Sequence, residues 1–227
     1  MTEKREVKDG PSGILEVRTG GSPKAETVDG TEVKPGDVLV IAGSIGQLGA
    51  RALLEARKEE LSTWFSPEYR EQALLNREKQ LGGVLDVLKG WGESFGISGV
   101  QAVGEGGIFR AIWELSGEYG VGVSFSLRCI PIRQWVIEVC ERCGVNPYRL
   151  WCGNCLLLAA QRGWQLAQAL KEMGIEAEVI GAVEGGIARK IGHGDETGYL
   201  ERPREDELYR LLGKDAAIQM METVIWE

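Results

Sequence analysis

Four of the five cysteines fall as two Cys-x2-Cys pairs, Cys140-x2-Cys143-x8-Cys152-x2-Cys155. Four thiolates at such spacing are the ligand set of a tetrahedral zinc site or an iron–sulfur cluster. A plainer reading stands beside it, because free cysteines are among the most buried residue types and pack as small apolar groups. Cys140 lies near the end of a helix-spaced run and Cys155 at the head of an apolar one, so both could face a core. Cys129, outside the pattern, reads as packing.

Two glycine-rich turns are the next candidates. Gly104-Glu105-Gly106-Gly107 lies between a strand-like and a helix-like segment. There unpaired backbone N–H groups and the helix dipole can hold a phosphate, and glycine lets backbone approach closely. Gly43-Ser44-Ile45-Gly46-Gln47-Leu48-Gly49 has the same setting, with Gly43 and Gly46 as candidate contacts, and reads mainly as structural with anion binding second. For both turns the rival is tight helix-to-sheet packing, since a glycine-rich turn alone is a weak motif. His193 is the only histidine. One imidazole rules out a His-rich metal site, and any Ser-His relay would have to use it. Gly213-Lys214-Asp215 lacks the spacing and the hydroxyl of a Walker A loop.

The chain around these groups has 227 residues, 43% hydrophobic and 26% charged, the composition of a globular protein with a real core. A formal net charge of −8 gives no reason to attract nucleic acid or an anionic membrane. The longest apolar runs, such as Val38 to Ala42 and Cys155 to Ala160, are strand-sized and fall short of the roughly twenty residues of a membrane span. Met1 to Gly13 is charged and punctuated by Gly and Pro, unlike a secretory signal, which argues for the cytoplasm. Thiols stay reduced there, so the cysteines are ligands, reactive groups or core residues before they are disulfides.

Periodicity supplies the elements. Ile14 to Arg18 alternates like an edge strand, and residues 1–34 read as an N-terminal extension with a short strand or hairpin. Val38 to Ala42 suits a strand covered on both faces, and Ala50, Leu53, Leu54 and Leu61 repeat at helical spacing. Ser66-Pro67 starts a helix as N-cap and first-turn proline, with a stripe through Leu74, Leu81, Leu85 and Leu88 and a weak point at Gly82-Gly83. A strand over Gly99 to Val103 precedes a helix marked by Ile108, Ala111, Ile112 and Leu115. Val121 to Leu127 alternates as a strand. Arg133 to Cys143 reads as a helix, Cys155 to Ala160 as a buried strand, Trp164 to Met173 as a helix and Ala177 to Val183 as a strand. Gly185-Gly186 then predicts a hairpin into a strand at Ile187 to Ile191, and residues 213–227 a helical tail. Alternating strands and helices predict an α/β (α+β) fold with a mixed, layered sheet.

Four separated segments in order resemble one family: Gly104 to Gly122, Ile130-Pro131-Ile132-Arg133, Gly144 to Tyr148, and Gly174 to Gly181. They are similar to the C-terminal domain of AIR-synthase-related proteins, a superfamily that includes the purine-pathway cyclo-ligase, selenophosphate synthetase, thiamine-phosphate kinase and the hydrogenase maturation factor. The resemblance covers residues 35–212 and implies that domain's fold.

It also implies departures. The family's N-terminal half carries the aspartates for magnesium and ATP and the usual dimer interface, and residues 1–34 are too few for such a domain. Where the family offers a His or Asp and a Thr before the second turn, this chain has Gln101, Ala102 and Gly104. Where the first turn has a Lys and a Glu, it has Gly43 and Leu48. Cys152-Gly153-Asn154-Cys155 replaces a Ser-Ser-Gly-Ser. The chain ends Thr223-Val224-Ile225-Trp226-Glu227, without the maturation factor's terminal reactive cysteine.

The expectation is therefore a binding or accessory module, in hydrogenase or metalloenzyme maturation, with a four-cysteine zinc or iron–sulfur site and at most a weak ATP or phosphate ligand. The alternative is half of an ATP-dependent phosphotransfer or maturation enzyme, completed by a separately encoded N-terminal domain. Seven tryptophans, with Trp113 and Trp151 expected part-exposed, predict an apolar face for self-association or a protein partner.

Overall fold

The computed structural model describes residues 32–75, 84–193 and 196–226. The strand expected at Ile14 to Arg18 lies outside them, as do Leu81, the Gly82-Gly83 pair and Gly194-Asp195.

Among the described residues seven strands, β1 (Val38–Ala42), β2 (Ile97–Ala102), β3 (Gly122–Ser126), β4 (Leu156–Ala160), β5 (Ala177–Glu184), β6 (Arg189–His193) and β7 (Glu196–Tyr199), form one sheet in the order β2-β4-β1-β5-β3-β6-β7. Pairing is antiparallel except between β3 and β6, so the sheet is mixed, as expected. The helices are α1 (Gln47–Ala56), α2 (Lys58–Leu61), α3 (Pro67–Leu75), α4 (Val84–Phe95), α5 (Gly107–Glu118), α6 (Gln134–Cys143), α7 (Gly163–Glu172), α8 (Glu207–Leu212) and α9 (Lys214–Trp226).

Each strand sends alternate side chains to opposite faces. Leu39 and Ile41 of β1 join a core closed by Ile108, Ile112 and Leu115 of α5. Val40 and Ala42 join another, closed by Leu88 of α4 and by Leu166 and Leu170 of α7. A third cluster is almost wholly helical. In it Leu53 and Leu54 of α1 and Val136, Val139, Cys140 and Cys143 of α6 meet Leu208, Ala217 and Met221 of α8 and α9.

Ser66 caps α3 as expected, its Oγ accepting from Tyr69 N at 3.2 Å. The helix expected through Leu61 breaks at Arg57 into α1 and α2. The hairpin expected at Gly185-Gly186 does not form. β3 lies between β5 and β6, and β6 runs parallel to it. The turn instead carries the chain across the start of β3, where Val123 N donates to Ala188 O at 2.9 Å. A Cβ on Gly122 would stand 3.0 Å from the carbonyls of Ala188 and Gly185, so the crossing depends on that glycine. The antiparallel partner of β6 is β7.

Candidate functional site

Both glycine turns sit at the same end of the strands. β4 runs antiparallel between β2 and β1, and its first residue, Leu156, pairs with the last residue of each, Ala102 and Ala42. The turn leaving β2 and the turn leaving β1 therefore flank Cys152-Gly153-Asn154-Cys155, which leads into β4. Sequence alone gives no sign of this juxtaposition, because it depends on strand order.

The first turn is closed by internal bonds. Gly43 N donates to Glu176 O (2.7 Å), Ile45 N to Pro131 O (3.0 Å) and Gly49 N to Trp151 O (3.0 Å). Gly46, at φ +73°, donates its N–H to Cys152 Sγ at 3.0 Å. A Cβ on Gly43 would lie 2.4 Å from Asn154 O, so the glycine is there for close approach.

In the second turn Gly104 O accepts from Gly107 N and from Cys152 N, each at 3.1 Å. Gly106 and Gly107 have φ of +77° and +66°, and a Cβ on Gly107 would stand 2.6 Å from Tyr148 O. The N–H of Gly106, in the N-cap position of α5, is the donor an anion would use. It is already engaged with an anion of the chain itself: Asp206 Oδ2 accepts from it at 2.6 Å.

Asp206 was not among the residues singled out above. It is 0% exposed, and its other oxygen accepts from Leu208 N at 2.9 Å, which caps α8. Burial pushes its carboxyl up to about 6; the N–H groups of Leu208, Gly106 and Trp151 pull it down, and the Glu105 carboxylate adds to the rise. Around it, Arg110 pairs with Glu105 at 3.0 Å and its guanidinium reaches Arg204 O at 3.4 Å. Tyr209 packs edge-on against Trp151, and burial raises its hydroxyl well above the usual phenol range, with Glu105 adding to the rise. The only local sign of Asp206's role is Asp206-Glu207-Leu208, an N-cap signature.

The four cysteines are all buried but serve different cores. Cys140 and Cys143 lie one turn apart on α6 in the helical cluster, whereas Cys152 and Cys155 belong to the α5 side of the sheet. Among the described residues no group of three or more His, Cys, Asp or Glu is arranged to hold a metal ion. The two pairs still approach one another, since Cys152 is near enough to Cys140 to help raise its thiol. Cys152 Sγ faces the Gly46 N–H, and the α6 pair packs inward. Burial pushes Cys140 up to about 12, with Cys143, Glu207 and Cys152 adding to the rise, and raises Cys143 against the opposing pull of Arg57.

Trp151, expected part-exposed, is buried against Tyr209. Trp113 is half-buried, with the Arg189 guanidinium 3.9 Å from its ring centroid. Among the described residues the exposed tryptophans are Trp64 and Trp164, at 58% and 69%. Among the described residues no helix is long and apolar enough to cross a membrane.

Comparison with known proteins places this geometry in a family. The model for "AIR synthase related protein, C-terminal domain" matches residues 34–192. "Carbamoyl dehydratase HypE" of Cupriavidus necator is 27% identical over 176 residues, covering 71% of this chain and 46% of its own. The protein of that name from Azotobacter vinelandii is 29% identical over 176 residues, covering 75% and 48%. Among solved structures, a HypE-HypF complex superposes with TM-score 0.56 at 24% identity, covering 76% of this chain and 55% of that one. HypE in complex with ATP gives 0.57 at 17%, covering 79% and 54%. The chain spans about half the length of the curated relatives it matches. Matched over most of its length by the family's own model, this chain belongs to the AIR synthase related proteins and carries their C-terminal domain.

Proposed function

We propose that this chain acts as an accessory, partner-binding domain in the maturation of a metalloenzyme, and that it does not itself hold a nucleotide. The observation carrying the proposal is the bond from Gly106 N to Asp206 Oδ2: the donor best placed for a phosphate is spent on a carboxylate buried with it. The Gly43–Gly49 turn adds support, since its bonds run to Glu176, Pro131, Trp151 and Cys152. The maturation context rests on the HypE relatives, and the protein partner on the HypE-HypF complex.

A second reading keeps the family's ATP chemistry, with this chain supplying one wall of a site completed by a nucleotide-binding half on the same or another polypeptide. The ATP-bound HypE structure and the two glycine turns side by side favour it.

Titration of Mg-ATP into the purified chain, followed by calorimetry, separates the two. The accessory reading expects no saturable heat up to millimolar nucleotide. Saturable binding that weakens when Gly107 is replaced by Ala would overturn it in favour of the second.

A further inference from the structure

Between α6 and the segment joining α2 to α3, a hollow of ≈ 440 Å³ is lined by Trp64, Phe65, Ser66, Tyr69, Glu138, Glu141 and Arg142. Its floor is aromatic, the buried Phe65 ring stacked on Tyr69 with centroids 5.2 Å apart. One wall is the α6 face bearing Gln134, Glu138 and Glu141, one helical turn apart in succession. The Tyr69 hydroxyl donates to Glu138 Oε2, and Gln134 Nε2 donates to Oε1 at 2.8 Å. These two bonds hold the Glu138 carboxyl below its ordinary range, so the wall carries fixed negative charge.

The rim shows what the ring accepts. Trp64 remains 58% exposed although the Arg142 guanidinium lies 3.9 Å from its centroid. An indole face attracts a guanidinium through the ring quadrupole, and Arg is the usual choice for stacking on aromatic surfaces. Two carboxylates oppose this one guanidinium, so the wall has an excess of acid. A second copy of this chain is a poor occupant, because each brings a net charge of −8.

We propose that this hollow docks a basic segment of a partner protein, with an arginine or lysine side chain seated on Trp64 and paired with Glu138 and Glu141. Trp and Arg are among the residues that most often anchor protein interfaces, and an exposed Trp64 beside carboxylates offers such an anchor. The proposal rests on the reading that the chain works with a protein partner, and it names the chemistry of that partner.

The probe is hexa-arginine amide, titrated into the full chain at low ionic strength by calorimetry. Trp64→Ala removes no charge and should weaken binding about tenfold, the scale of a cation seated on indole. Trp164→Ala, at the exposed tryptophan of α7, should leave affinity unchanged. Glu141→Gln should weaken binding by a smaller factor that vanishes at high salt. Equal affinity for wild type and Trp64→Ala, or equal losses at Trp64 and Trp164, would overturn the proposal and leave only diffuse attraction of a cation to an acidic protein. Thermal melts of both variants check that the fold is intact. The ATP titration is unaffected by any of these outcomes, so failure of the hollow is distinguishable from failure of the accessory reading.

Discussion

Asp206 ties α8 to the second glycine turn from a site with 0% exposure, and replacing it by Asn tests how that tie is balanced. The amide keeps the shape and one acceptor but cannot ionise. Burial raises the carboxyl from 3.8 to about 6, which across about 2 pH units corresponds to ~3 kcal/mol of preference for the protonated form in the folded state. The direction follows from linkage. A group whose folded pKa lies above its unfolded value contributes stability that is full below the unfolded pKa and is lost as pH rises through the folded one. For Asp206 the window runs from 3.8 up to about 6. Between about pH 7.5 and about pH 5 the residue should return on the order of 1 kcal/mol to the wild type. Asp206→Asn lacks that return, while every other titrating group, including the neighbouring Glu105, is common to both proteins. Urea unfolding of the two proteins across that range is the assay. Expected is a gap between wild type and variant that shifts in favour of the wild type by on the order of 1 kcal/mol on acidification. A gap independent of pH, or one that moves the other way, would refute the claim that desolvation outweighs the three N–H donors at this carboxylate.

Gly107→Ala should cost more than ~2 kcal/mol in the same assay, because its φ of +66° and the carbonyls of Tyr148 and Leu150 at 2.6 and 2.9 Å leave a Cβ no room. Gly104→Ala, with nothing within 4 Å of its Cβ, should stay within ~0.5 kcal/mol of wild type. Protein purified anaerobically should carry zinc and iron well below stoichiometric amounts, and a thiol reagent should modify the exposed Cys129 fast and the four buried cysteines slowly. Stoichiometric metal lost on Cys152→Ser would restore the four-cysteine centre.

Much of the chain was legible without coordinates, because local signals record local physics. β1 came out at Val38–Ala42 since an unbroken β-branched and apolar run suits only a strand covered on both faces, and both faces are covered. The stripe Ile108, Ala111, Ile112, Leu115 marked α5 because four apolar residues at helical spacing share one face. The positive φ at Gly46, Gly106 and Gly107 fits the two turns in which those glycines were noticed.

What the sequence could not convey was which segments meet. Gly185-Gly186 has the composition of a hairpin turn, yet strand partners are chosen by the whole sheet, and β3 takes the place beside β5. Cys-x2-Cys spacing fixes how far apart thiols lie along the chain and says nothing of the side of the sheet they face. Here one pair packs in the helical core and the other in the α5 core, with Cys152 still near enough to Cys140 to help raise its thiol. Asp206 reaches Gly106 across 100 residues of chain, and only the packing of α8 and α9 on α1 and α6 brings the carboxylate to the turn. Sequence determined the elements and their glycine turns, because those are set within a few residues. Tertiary structure decided whether a turn's N–H groups face a ligand or the chain's own carboxylate, because that depends on contacts between segments no local pattern links.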